Sequence, residues 1–321
     1  MATLPVDVRD LLKAGKRLSQ DRDLPIRIAV LIEVDAPDEL IDLLRSEIRP
    51  RTSSASLQIE VVEPGSPLQL GTATDAVILV AGSGTPALAE AMTVPRASKV
   101  ATAVVALGDE VHGDHLADLL LQPLADLVVA ESAREAVDRL GRWLAEKLPS
   151  KRLALAHNFP FIRSAVAEEA VKTTAWQNGL IGSVAIIPGA DMPLMTANQA
   201  KMLLQIAAAY GETLGTDRIK ELAVIVGGGF TLRTIARQLL TVVPVMGWAV
   251  KGGIAFGGTM AMGKAAIAYF EQGADVVQVA QRLKAEAVAH LPKGRGIELE
   301  SGSISQPELP LVVADAEAAV D

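Results

Sequence analysis

The residues best placed to do chemistry stand in the turn after the first β-branched run, Ile32-Glu33-Val34-Asp35-Ala36-Pro37-Asp38-Glu39-Leu40. A turn that cradles nucleotide phosphates at such a point reads G-x-x-x-x-G-K-[ST], because bare backbone N–H groups and a lysine have to surround the charge. This turn has no Gly, no Lys, and no Ser or Thr for magnesium. Asp35, Asp38 and Glu39 instead place carboxylates at the start of the following helix, where the positive end of the dipole would attract an anion. The spacing predicts Asp35 as N-cap with Asp38 and Glu39 in the first turn, an anion site filled by the protein itself. Phosphoryl transfer needs the missing lysine and hydroxyl, so no catalytic residue and no cofactor are assigned.

Two other groups of residues could do chemistry. Gly82-Ser83-Gly84-Thr85 and Gly108-Asp109 follow β-branched runs and would line a pocket at the carboxyl ends of strands, the place for a ligand in an open α/β sheet. Asp109, His112, Asp114 and His115 form a possible metal-ligand set, but the segment is polar and lacks a third strong ligand, so no metal is expected. With no cysteine in the chain, disulfides, thiolate nucleophiles and cysteine zinc sites are excluded.

The elements that must position these residues are short apolar runs alternating with helical patterns. Ile26–Ile32, Leu57–Val62, Ala76–Val80, Ala101–Leu107 and Asp126–Ala130 read as strands of a mostly parallel sheet flanked by helices. Val8, Leu11, Leu12 and Leu18 make an amphipathic helix before them. Val137, Leu140, Leu144 and Leu148 make another after them, opened by the capping box of Ser132 and Glu135. From Ser164 the pattern is helical, with breaks at Pro188-Gly189, Gly211, Gly215, Gly227-Gly228-Gly229, and Pro244 with Gly247; the last long helix ends near Gly273. Four segments are expected: an N-terminal helix (1–25), an α/β domain (26–150), an all-α hydrophobic helical domain (151–275), and a C-terminal helix with a mobile acidic tail (276–321).

Charge separates the middle two. Residues 1–150 carry 15 basic and 23 acidic side chains, residues 151–275 carry 11 and 8. A net charge of −8 and 3% aromatic content argue against nucleic acid. The N-terminus lacks the basic-then-apolar order of a secretory signal, which predicts the cytoplasmic side.

The order of the fragments in the α/β part is similar to the small GTPase fold of the translation-associated type. Val62-Glu63-Pro64-Gly65 resembles the D-[ST]-P-G switch with Val62 in place of its Asp; Ala106-Leu107-Gly108-Asp109 is similar to the base-reading N-K-x-D, keeping Asp109 alone; Ser132-Ala133 resembles the guanine-supporting S-A. The resemblance implies a P-loop-GTPase-like sheet without its phosphate loop, a pseudo-GTPase, with Asp109, Ser132 and Ala133 as relics of nucleotide binding.

The helical part resembles the YcjF-type domain of unknown function attached to bacterial GTPases. Asn178-Gly179-Leu180-Ile181, Ile187–Pro193, Thr196–Gln199, Ala208–Gly211, Gly227–Phe230, Arg233, Ala236-Arg237 and Val243–Gly253 carry that likeness, which implies membrane association and no established reaction.

The residues themselves fit contact better than spanning. Thr173–Ala190 is free of charge but contains Gln177, Asn178, the internal glycines Gly179 and Gly182, and Pro188; Gln238–Gly263 carries Lys251 as its sole charge. Placing that lysine at a bilayer centre costs about 2.5–3.5 kcal/mol. A shallow hairpin or peripheral attachment is expected, or else a buried pair of helices in a bundle. Gly252, Gly253, Gly257, Gly258 and Gly263 would let helices approach closely. Gln199 lies on the apolar stripe of Met195, Met202 and Ile206 and needs partners; Asp191, Thr196, Asn198, Gln199, Arg233 and Lys251 are the candidate polar network or binding positions.

These observations predict a non-catalytic pseudo-GTPase scaffold whose helical domain meets a membrane surface or lipid, or self-assembles. The alternatives are a nucleotide-binding sensor or GTPase with a non-standard phosphate loop, and a soluble scaffold that binds a protein partner through its apolar helices.

Overall fold

The computed structural model describes residues 8–63, 65, 69–71, 73–83, 86–108, 125–184, 192–212 and 248–272. The elements in chain order are α1 (Val8–Arg22), β1 (Ile26–Glu33), α2 (Asp38–Glu47), β2 (Ala55–Val62), β3 (Ala76–Val80), α3 (Pro86–Ala91), α4 (Thr93–Ser98), β4 (Ala101–Leu107), β5 (Ala125–Ala130), α5 (Ala133–Lys147), α6 (Arg152–Asn158), α7 (Arg163–Val184), α8 (Met192–Ala209) and α9 (Trp248–Gln272). All of them fall within one compact unit, residues 1–289.

The five strands form one parallel sheet in the order β2-β1-β3-β4-β5, with Val30 opposite both Ile59 and Ile78. Parallel strands need crossovers that cover the sheet. Their period of two divides the side chains accordingly. Ile28, Val30, Ile78, Val80, Ala103 and Val105 point into one core with Leu40, Leu44, Val137, Leu140 and Leu144; Ala29, Leu31, Val77, Leu79, Val104 and Ala106 point into another with Ala87, Ala91 and Met92. β3 is buried along its whole length, whereas edge strand β2 exposes Ile59 and Val61.

The first core does not stop at the sheet. It continues through Leu18 of α1 and Leu155 of α6 to Val166 and Val171 of α7, Leu203 and Ile206 of α8, and Met262 and Ala266 of α9. The change of charge near residue 150 therefore falls inside a continuous apolar interior. Two arginines tie consecutive helices at this junction: the Nε of Arg152 donates to Ala145 O, and the Nε of Arg163 donates to Ala156 O at 3.2 Å, each reaching seven residues back to a helix C-terminus.

α7 and α9 run together at close range through small residues. A Cβ on Gly252 would lie 2.8 Å from Gly179 O, and one on Gly263 would run into the side chain of Val171. Gly253, Gly257 and Gly258, expected to share this role, have open space where a side chain would stand. The rotation of α9 decides which glycines meet α7, and composition does not encode that rotation. α8 ends in a Schellman turn: Gly211 adopts φ +86, and the N–H groups of Gly211 and Glu212 donate to Ala208 O and Ala207 O, each at 3.0 Å.

Candidate functional site

In an open parallel sheet a ligand crevice lies at the carboxyl ends of the strands where the order reverses, here between β1 and β3. Glu33 is the last residue of β1 and is 1% exposed; its Oε2 accepts the N–H of Gly82 at 2.8 Å. A tight turn follows, closed by Ala36 N–H donating to Glu33 O at 3.1 Å. It carries Asp35 to the loop after β3, where the Asp35 carboxylate accepts both the backbone N–H of Ser83 at 3.2 Å and the Ser83 hydroxyl. The Ser83 hydroxyl bond holds the Asp35 carboxyl below its ordinary range, against the opposing effect of burial and with help from the Ser83 backbone bond. A Cβ at Gly82 would collide with the backbone of Asp35. Two carboxylates of β1 and its turn thus take up the backbone donors of Gly82 and Ser83, groups of the kind that hold an anion in phosphate loops.

One expectation changes here. Asp35 is not the N-cap of α2. That position is held by Pro37, which makes no side-chain cap bond, while Asp38 and Glu39 occupy the first turn as expected. The turn at Val34-Asp35 points Asp35 away from α2, so its acceptor serves the neighbouring loop instead of the helix.

Ser132 caps α5, accepting the Glu135 N–H at 3.3 Å, and Glu135 reaches back to the N–H of Glu131 at 3.2 Å. Ala133 is buried. Both residues are engaged in helix initiation. Val62 closes β2 in the second core, and Gly65 N–H donates to Glu90 at 3.3 Å. Asp109, His112, Asp114, His115, Gly84 and Thr85 lie outside the described residues. Among the described residues no group of His, Asp and Glu could hold a metal ion.

In the helical layer Thr259 of α9 is fully buried and organises the polar side chains. Its hydroxyl donates to Ala255 O at 2.8 Å and accepts the amide N–H groups of Asn178 and Gln199, each at 3.1 Å. Asn198 donates to Asn178 Oδ1 at 3.0 Å. One donor and two acceptor sites of the hydroxyl are then filled, which is its full capacity. Of the sequence candidates, Asn198 and Gln199 meet here, and buried Thr196 lies two and three residues before them on α8. Asp191 and Arg233 lie outside the described residues, as does the side chain of Lys251, whose backbone belongs to α9. Asn178 and Thr259 were missing from the candidates. The signal that singles out Gln199, a polar residue on an apolar helical face, applies equally to both.

At one end of this layer large apolar side chains face outwards: Trp176, Leu180 and Val184 at successive turns of α7, Leu194 of α8 and Ile254 of α9, with exposures from 39% to 73%. Trp176 packs edge-on against Phe256, ring centroids 5.2 Å apart. No helix among the described residues is long and apolar enough to cross a membrane.

Fold and site together define an open, parallel α/β protein with helices on both faces and an apolar helical layer continuous with one core. Compared with protein-family models, curated proteins and solved structures, the chain matches none.

Proposed function

We propose that this chain is a non-catalytic, pseudo-GTPase-like scaffold that sits on the cytoplasmic face of a membrane through the apolar end of its helical layer. The observation that carries the reading is the outward row of Trp176, Leu180 and Val184 beside Ile254 and Leu194. Apolar side chains grouped at one end of a domain mark an interaction surface, and a tryptophan at the head of the row suits the interfacial zone of a bilayer. The sheet part is read as a P-loop-GTPase-like domain without nucleotide chemistry, because the turn after β1 lacks the Gly, Lys and hydroxyl of a phosphate loop and its Glu33 and Asp35 take up the N–H donors of Gly82 and Ser83 in the neighbouring loop. The YcjF-type likeness of the helical part points the same way.

Flotation of the full chain with vesicles tests the membrane half. The chain is expected to rise with anionic vesicles, and a Trp176→Ser, Leu180→Ser, Val184→Ser variant to stay at the bottom. Wild-type chain that stays at the bottom with every lipid would overturn the reading and leave the apolar end to a protein partner or a second copy. Calorimetry with GTP and GDP tests the other half: no binding heat is expected, and tight binding weakened by Asp109→Ala would assign a nucleotide sensor instead.

A further inference from the structure

The opposite end of α7 carries a different surface. Arg163 opens the helix, with Arg51 of the loop between α2 and β2 and His157 of α6 near it, and Arg22 of α1 near His157. In a chain of net charge −8 this is a local concentration of cations.

Their positions are fixed by the fold. Asn158, fully buried at the end of α6, accepts the Thr52 N–H at 3.0 Å and the Thr52 hydroxyl at 2.7 Å, and its own amide donates to Ala154 O at 3.0 Å. This pins the loop bearing Arg51 beside the helix bearing His157. Arg163 spends its Nε on Ala156 O, and among the described residues no carboxylate lies within ion-pair distance of Arg51 or Arg163. Among the described residues Arg22 reaches only Asp23, at 3.8 Å, and its buried Nε has no hydrogen-bond partner. Ser46, Arg49, Pro50, Arg51 and Pro160 line a cleft of about 320 Å3. Glu47 is the one acid on its wall, and Arg134 already pairs with it at 2.9 Å.

Burial holds the imidazole of His157 below its ordinary pKa, reinforced by Arg22, Arg163 and Arg51 and opposed by Asp23. Burial and Arg51 likewise lower Arg163. Mutual repulsion of this kind is relieved by an anion, and planar guanidinium groups suit the paired oxygens of a phosphate.

We propose that Arg51, His157 and Arg163, with the cleft beside Arg49 and Pro160, form a binding site for the phosphate group of a soluble phosphorylated ligand. Along α7, at about 1.5 Å per residue, Arg163 lies about 20 Å from Trp176, the near end of the apolar row, and about 32 Å from Val184, its far end. A headgroup of the bilayer touched by that row does not reach it, which favours a soluble source.

Inorganic phosphate and pyrophosphate titrated into the full chain test the site, read on the His157 imidazole by NMR after assignment with His157→Gln, with chloride at matched ionic strength as control. Saturable binding with a rise in the His157 pKa is expected. Arg51→Gln, an exposed change that spares the Asn158 anchor, should weaken it about tenfold and should also raise the His157 pKa without ligand. Equal responses to phosphate and chloride, or unchanged phosphate affinity in Arg51→Gln, would overturn the proposal. Flotation with vesicles containing phosphatidic acid separates the sources. Arg51→Gln should float as the wild type does; if it alone fails to float, the phosphate belongs to a lipid headgroup and the soluble source is wrong. The Trp176, Leu180, Val184 variant should keep its phosphate binding, so failure of the membrane reading and failure of this site are distinguishable.

Discussion

Glu33 ends β1 and accepts the backbone N–H of Gly82, 49 residues on, at 2.8 Å, with only 1% of its surface exposed. The bond joins the two strand ends that flank the sheet's point of reversal. Glu33→Ala removes the acceptor and leaves a buried donor without its partner, a loss of about 1–3 kcal/mol. Glu33→Gln keeps a carbonyl acceptor and should lose less. Urea denaturation of both variants, with unchanged m-values, checks the order.

Gly82 itself has no room for a side chain. Gly82→Ala drives a methyl group into the backbone of Asp35, so the turn or the loop has to move, at a cost of about 1–3 kcal/mol. Asp35→Ala in the same background frees side-chain space but leaves the backbone clash, and should not restore stability. Thermal melts of the single and double variants measure this.

The centre of the sheet was legible in the sequence because its inner strands are buried on both faces and therefore appear as continuous apolar runs with turns between them; Ala76–Val80 and Ala101–Leu107 match to the residue. The helix ends at Ser132 and Gly211 were legible through local chemistry, a capping hydroxyl and a left-handed glycine. The Glu33–Gly82 bond was not. A glutamate at the end of an apolar run reads as the end of a strand, and nothing local announces a partner 49 residues away. The cations at Arg22, Arg51, His157 and Arg163 were hidden for the same reason, since four separate segments supply them.

Glycines on α9 give a paired prediction. Gly252→Ala meets Gly179 O and should destabilise by about 1–3 kcal/mol. Gly257→Ala points into open space on a helix and should stabilise by about 0.5–1 kcal/mol through helix propensity. Opposite shifts in melting temperature are expected.

Asp126 supplies a pH dependence. Burial raises its pKa, but Lys147 at 2.9 Å and the Trp143 indole N–H at 2.9 Å outweigh it, and the carboxyl lies below its ordinary value of 3.8. Its contribution is complete at neutral pH and is lost as the pH falls below 3.8 and through the folded-state value. Because the side chain is 47% exposed, solvent screening limits the effect to less than about 1 kcal/mol. Asp126→Asn should lower stability at pH 7 and converge on the wild type in acid, read from denaturation midpoints across that range.

Thr259 carries the polar interior of the helical layer. Its hydroxyl is the shared acceptor for Asn178 and Gln199, and both amides are buried, at 0% and 1% exposure. Thr259→Val preserves the shape of the side chain but orphans two donors, at about 1–3 kcal/mol for each. Thr259→Ser keeps the hydroxyl and loses one methyl group, so its loss should be near 1 kcal/mol. If packing alone held α7, α8 and α9 together, the order would reverse, because valine is the better volume match. Denaturant unfolding of the two variants separates the explanations, and amide protection at Asn178 and Gln199 should fall in Thr259→Val alone.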